Sequence, residues 1–183
     1  MKYKESIRNA FIFVLLLWVI ALLDFLLPLD FRKLGVNPRT LTGLIGIPCA
    51  VFLHSGFSHV ASNTIPLLVL ISVILAFYSS VAIPAMFFMV IFTNSLVWII
   101  GRGDAYHIGA SGLVYSLAAF LIAAGFYKKA FLSGLIALVI ATLYGGLVWG
   151  IIPGVVDWYI SWETHLLGAI IGVYLAHFYK KSL

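Results

Sequence analysis

A serine, two histidines and an asparagine, far apart in the chain, make a set that could cleave an acyl bond. Ser111 stands in the run HIGASGLV, His107 to Val114, between Gly109 and Gly112. A serine hydroxyl is a poor nucleophile until a base takes its proton, and His165 is the obvious candidate base. His59 and Asn63 are four residues apart, which puts them on one face of a helix. Both can donate hydrogen bonds to a developing oxyanion. If Ser111 opens a helix, the unpaired N–H groups and the dipole at that end also favour negative charge. Tyr115, one turn after Ser111, could hold the His165 imidazole by stacking. Each residue also has a plainer reading: Ser111 as a helix cap, His165 as a packed interior side chain, His59 and Asn63 as ties between helices.

Such residues need elements to carry them, and the composition dictates which. Of 183 residues, 63% are hydrophobic and 9% charged, with a mean hydropathy of +1.14. A water-soluble domain of this size could not hide that much apolar surface, so the solvent is a bilayer. The net charge of +5 comes from short clusters between apolar runs. Clusters of that kind are topology signals rather than a phosphate-binding patch, so nucleic acid is not an expected partner. The single cysteine, Cys49, excludes an intramolecular disulfide. The start, MKYKESIR, looks like a signal-peptide head, but the long apolar run behind it lacks a small-residue cleavage motif and reads as a retained helix.

Six stretches suit membrane helices: Ala10–Leu27, His59–Phe77, Val81–Ile100, Ser111–Tyr127, Ala130–Ile152 and Trp162–Phe178. A seventh apolar run, Leu41–Leu53, is short and broken by Gly43, Gly46 and Pro48, so it reads as a structured or interfacial loop. No internal repeat is visible, and residues 1–183 read as one transmembrane domain. With the N-terminus inside, seven Lys and Arg residues fall on inner segments (Lys2, Lys4, Arg8, Lys128, Lys129, Lys180, Lys181) and four on outer loops (Arg32, Lys33, Arg39, Arg102). That imbalance favours both termini inside.

On this topology Ser111 begins span four at its outer end. His59 and Asn63 occupy the outer turns of span two, and His165 lies one turn into span six, again outside. Polar groups at membrane depth are costly and face the bundle interior for a reason. Three spans bringing such groups to one depth point to a shared site. Gly168 and Gly172 form a small-residue face on span six, and Gly168 could bring that span against span four so that His165 reaches Ser111. No carboxylate is well placed to orient His165: Glu163 points to another helix face, and Asp104 and Asp157 lie in loops. A Ser–His dyad is the simplest reading.

These residues resemble the rhomboid family of intramembrane serine proteases. The resemblance covers most of the chain. GASG carries the candidate serine in span four, followed by Leu113, Val114 and Tyr115. HSGFSHVASN, His54 to Asn63, is similar to the family's second-span signature, and His165-Leu166-Leu167-Gly168 with Gly172 is similar to its span-six pattern. The resemblance implies an all-α membrane protein with a six-transmembrane-helix rhomboid-like bundle and an active-site cavity open to the outer face. It implies Ser111 as nucleophile, His165 as general base, and His59 and Asn63 helping the Ser111 N–H to bind the oxyanion. Gly109, Gly112, Tyr115 and Gly168 would support them. Substrates would be transmembrane proteins cut at a small residue in a weak helix, with no cofactor. Two departures stand out. The first outer loop of many members carries a Trp-Arg pair, whereas Pro28–Phe52 here has no tryptophan, and Thr164 stands where alanine is common.

A zinc site built from His54, His59, His107 and His165 is disfavoured, because no His-Glu-x-x-His exists and no Cys or Asp completes the ligands. His54 is expected to shape the loop into span two, His107 and His177 to be interfacial, and Asn94 to tie span three to a neighbour. The loop Pro153–Ser161 is expected to cap the cavity as a mobile lid. The rival function is a non-catalytic relative that binds transmembrane segments. A transporter ranks lower, since spans two to six lack a mid-bilayer ionisable residue and repeat symmetry. The expected location is the plasma membrane of a prokaryote, as a multi-pass protein. Oligomeric state is left open.

Overall fold

The computed structural model describes residues 2–28 and 30–183. Its helices are α1 (Lys2–Leu26), the one-turn α2 (Gly46–Cys49), α3 (Phe57–Phe77), α4 (Ala82–Ile100), α5 (Ser111–Lys128), α6 (Phe131–Tyr144) and α7 (Trp162–Phe178). Alternation of apolar and polar residues, the strand signal, is missing from these runs, and the described residues form no strand beyond one isolated bridge.

Five helices are long and apolar enough to cross a membrane: Tyr3–Leu26, Phe57–Phe77, Ala82–Ile100, Ser111–Lys128 and Phe131–Ile151. That is one fewer than the six expected. The difference is α7, which has 17 residues. At 1.5 Å per residue it is about 26 Å long, against a hydrocarbon core of about 30 Å. The run Leu41–Leu53 folds as successive single turns, 3₁₀ at Thr42–Ile45, α2, and 3₁₀ at Ala50–Phe52. It is a structured loop.

α5 is the central post. Of its apolar window 61% is buried, against 17–39% in the other four. α1 shows the contrasting peripheral pattern. Ala10, Val14, Leu17 and Ala21 form its buried stripe against α3, while Phe11, Leu15, Val19 and Leu22 are exposed. An apolar helix with apolar residues on its open side fits lipid rather than water. Trp18 donates to Thr64 Oγ1 at 3.0 Å across that interface.

The closest helix packing is α5 on α7. A Cβ at Gly168 or Gly172 would strike the α5 backbone at Gly112 or Ser116, so these two glycines let the helices meet. Ser116 Oγ lies 2.9 Å from Gly112 O and 2.8 Å from Gly168 O. Its one proton therefore satisfies carbonyls on both helices.

The first loop is fastened without the Trp-Arg pair. Arg39 Nη1 donates to Gly101 O at 2.7 Å, at the C-terminus of α4, and Trp98 of α4 donates to Thr40 O at 2.8 Å. Asn94 Nδ2 donates to Ile47 O at 2.9 Å, so it ties α4 to the short helix α2. Val36 and His107 exchange backbone bonds of 3.0 and 2.8 Å, and Gly109 N donates to Ala50 O at 2.9 Å. The first loop thus braces the segment that leads into Ser111.

Candidate active site

Ser111 is the first residue of α5. The cap position belongs to Ala110, which makes no side-chain cap bond. The Ser111 hydroxyl is engaged elsewhere, 2.9 Å from His165 Nε2. The capping role therefore does not describe this serine.

His165 lies in the first turn of α7 and is 8% exposed. Its other nitrogen, Nδ1, is 3.0 Å from the carbonyl oxygen of Gly150. A carbonyl can only accept, so Nδ1 carries the ring proton. Nε2 is then a bare lone pair, and the Ser111 hydroxyl donates to it. Tyr115 stacks on the imidazole, with ring centroids 4.2 Å apart and planes 6° apart. The orienting acceptor is a backbone carbonyl rather than a carboxylate. Glu163 turns instead to Arg102, Oε1 to Nε 3.5 Å, and Asp157 accepts from Tyr159.

His59 approaches from α3. Ser55 N donates to His59 Nδ1 at 3.4 Å, and Ser55 Oγ is 3.2 Å from the same atom. A backbone N–H can only donate, so Nδ1 accepts and the proton sits on Nε2. That nitrogen faces Gly109, where a Cβ would stand 2.8 Å from it and 3.8 Å from Ser111 Oγ. Gly109 also has φ +117, a region open to glycine and costly for other residues. Both sterics and backbone require glycine there.

Asn63 is buried, and its carboxamide nitrogen is committed. Nδ2 lies 3.2 Å from His59 O and 3.3 Å from His54 Nε2. His54 Nε2 also receives Ala110 N at 3.4 Å. Burial pushes the His54 ring down to about 4, helped by the neighbouring His59, so it is neutral and accepting near neutral pH. His54 thus links Asn63 to the backbone that launches Ser111.

A cavity of about 790 Å³ reaches these groups. Ser111, His165, His59 and Asn63 line its floor, with Ser58 and Ser62 of α3 on one wall. It lies at the end of the bundle that holds the N-termini of α3, α5 and α7. Trp158, Tyr159 and Ile160, from the segment between α6 and α7, also line it. Arg102 holds that segment: Nη2 donates to Ile160 O at 2.9 Å, and the guanidinium sits 5.2 Å from the Trp158 ring centre. Among the described residues no group of three or more His, Cys, Asp or Glu could hold a metal ion.

With that geometry, the comparison with known proteins is decisive. A model of the Rhomboid domain matches residues 41–182. The chain belongs to the rhomboid family. Uncharacterised proteins of Mycobacterium bovis and Mycobacterium tuberculosis are each 34% identical to it over 179 residues, covering 90% of this chain and 71% of theirs. One from Mycobacterium leprae is 34% identical over 171 residues, covering 90% of this chain and 68% of its own. No solved structure matches.

This rhomboid is an integral, multi-pass membrane protein. Several of its site contacts escaped the reading of the sequence. Gly150 and Ser116 carry no motif, and Ser55 lies in the quoted second-span run without a role of its own there. His107, expected at the interface, is buried and bonded: Nδ1 is 2.6 Å from Ser161 Oγ and Nε2 2.9 Å from Arg102 O. Ser161 caps α7 by accepting from Thr164 N. A serine one residue before a helix, four before His165, was the available signal. Thr164, the departure from alanine, packs its methyl towards Gly112 and its hydroxyl 2.7 Å from Ser161 Oγ.

Proposed function

We propose that this rhomboid is an intramembrane serine endopeptidase that cuts transmembrane segments of membrane proteins with a Ser111–His165 dyad. The observation that carries the reading is the 2.9 Å contact between Ser111 Oγ and the bare Nε2 of His165. It meets the geometric requirement for a base within reach of the proton it removes. The sequence reading of six spans with both termini inside belongs to this proposal, with α7 as the short sixth span. The cavity then opens to the outer face and admits the water that hydrolysis needs. The prokaryotic plasma membrane is the proposed location, in keeping with the mycobacterial relatives.

In the proposed reaction His165 Nε2 takes the Ser111 proton as Oγ attacks the scissile carbonyl. The tetrahedral oxyanion receives hydrogen bonds from His59 Nε2–H and from the Ser111 backbone N–H. Asn63 joins by exchanging its bond to His54. The C–N bond breaks as His165 returns the proton to the leaving amine. A water then repeats the sequence on the acyl-enzyme and releases the acid, with Ser111 restored. The steps need no cofactor.

The test is a fluorescent fluorophosphonate applied to the purified protein in mild detergent, beside Ser111→Ala and His165→Ala, followed by a model transmembrane substrate. Wild-type labelling mapped to Ser111, with cleavage lost in both variants, is the expected result. Wild-type turnover in either folded variant sinks the mechanism. A folded wild type that binds the substrate and never cuts it makes the chain a binder of transmembrane segments.

A further inference from the structure

We infer that the backbone carbonyl of Gly150 is a positioning group of the site: it fixes which nitrogen of His165 carries the proton. This rests on the protease reading for its consequence in turnover, but the contact itself can be measured without substrate. A neutral imidazole has two tautomers, and only the form with the proton on Nδ1 leaves Nε2 free to accept from Ser111. In solution the two are close in energy, so something must choose. No carboxylate among the described residues bonds the ring. The acceptor at Nδ1 is Gly150 O, at 3.0 Å.

Three features of the chain put that carbonyl there. Gly150 lies in the 3₁₀ segment Gly145–Ile151 that prolongs α6. In such a helix each carbonyl is served by the N–H three residues on. Three residues after Gly150 stands Pro153, which has no N–H to give. The carbonyl is therefore released from the helix ladder and available to the imidazole. The residue is a glycine because a Cβ there would run into the Tyr115 hydroxyl and stand 3.3 Å from His165 Nδ1. Only a bare backbone passes so close to the stacked pair. The segment that holds the acceptor is also peripheral: Val148 and Trp149 beside it are 49% and 61% exposed. The base keeps its working tautomer only while this outer segment is seated against α7.

The test uses the full chain in detergent with ¹⁵N-labelled histidine, the His165 signals being assigned by their loss in His165→Asn. One variant replaces the Gly150–Ile151 amide by an ester, which keeps the carbonyl but weakens it as an acceptor. A control ester at Leu147–Val148 perturbs the same segment away from His165. The wild type is expected to hold the proton on Nδ1. The Gly150 ester is expected to populate both tautomers and to lose about tenfold in kcat with KM unchanged, the weight of one hydrogen bond. The control ester should match the wild type in tautomer. A wild type with the proton on Nε2 overturns the inference, even if no ester variant folds. So does a Gly150 ester that keeps the wild-type tautomer, whatever its turnover. A chain that shows the Nδ1 proton, loses it in the Gly150 ester and yet cleaves nothing refutes the protease reading and leaves the Gly150 contact standing.

Discussion

Ser116 reaches across the bundle to Gly168: its hydroxyl lies 2.8 Å from the Gly168 carbonyl oxygen. Ser116 is five residues past Ser111 on α5, and Gly168 is three past His165 on α7. The bond therefore fixes the two helices to one another just below the groups they must align. Ser116 is fully buried, so its removal takes from both carbonyls the second donor that joins the two helices, beyond the backbone N–H each already has within its own helix. Ser116→Ala is expected to cost about 1–2 kcal/mol of stability and to lower the fluorophosphonate labelling rate. Thermal unfolding and labelling in the same detergent check both. Unchanged values would mean that the glycine face alone sets the helix register.

His59 and Asn63 are expected to weigh unequally. The tautomer of His59 leaves Nε2–H facing the Gly109 side, near Ser111. Asn63 Nδ2 already serves His59 O and His54 Nε2, so its gain on meeting an oxyanion is only the difference between two bonds. His59→Ala should lower kcat by about 10²–10³, as loss of an oxyanion donor does, and Asn63→Ala by roughly tenfold less. Steady-state kinetics on one transmembrane substrate separates them. Equal losses would show that Asn63 donates as fully as His59.

How much of this was legible beforehand follows the physics of each signal. Apolar runs long enough to span lipid are a property of consecutive residues, so most helix bounds read closely, and Trp162–Phe178 is α7 to the residue. α1, however, starts at Lys2 rather than Ala10, because its polar first turns are helical too, and α6 ends at Tyr144, the rest of the run to Ile151 being 3₁₀. The pairing of Ser111 with His165 was suggested by their common depth, by the Gly168 face that lets span six approach span four, and by the rhomboid resemblance. Backbone acceptors have no such trace. Gly150 carries no polar side chain, and its use depends on a proline three residues later and a tyrosine on another helix. His107 misled for the opposite reason. A histidine in the loop between two spans reads as interfacial, but pairing with Val36 draws this loop inward and buries the ring at 4% exposure. The count of spans depended on α7, whose length lies at the margin for a membrane helix.

The segment between α6 and α7 is expected to gate the cavity. Trp158, Tyr159 and Ile160 line the cavity together with Ser111 and His165, and Arg102 fastens them through Ile160 O and the Trp158 ring. Joining Tyr159→Cys to Ser58→Cys with a bifunctional thiol reagent should abolish cleavage of a transmembrane substrate. Labelling by a small fluorophosphonate should fall far less. Cleavage that survives the crosslink would remove the lid from the account. Arg102→Gln, which weakens the fastening, should act in the other direction and raise the labelling rate a few-fold.

His54 makes the fold acid-sensitive in a direction its burial dictates. An unfolded histidine takes its proton near 6.5, while burial holds folded His54 down to about 4. Between these values the unfolded chain binds a proton that the folded chain refuses. Stability from this group is therefore complete above about pH 6.5 and falls as the pH drops towards 4. The loss is about 1.4 kcal/mol per pH unit, roughly 3 kcal/mol in all. His107, also held down mainly by burial, adds to the slope in the same direction. His54→Gln keeps an amide that can accept from Asn63 and Ala110 and cannot titrate. Thermal unfolding in detergent from pH 7.5 to 4.5 should show the wild type losing stability more steeply than His54→Gln. Parallel curves would mean that His54 is protonated without strain, and that the neutral acceptor assigned to it between Asn63 and the Ser111 turn is wrong.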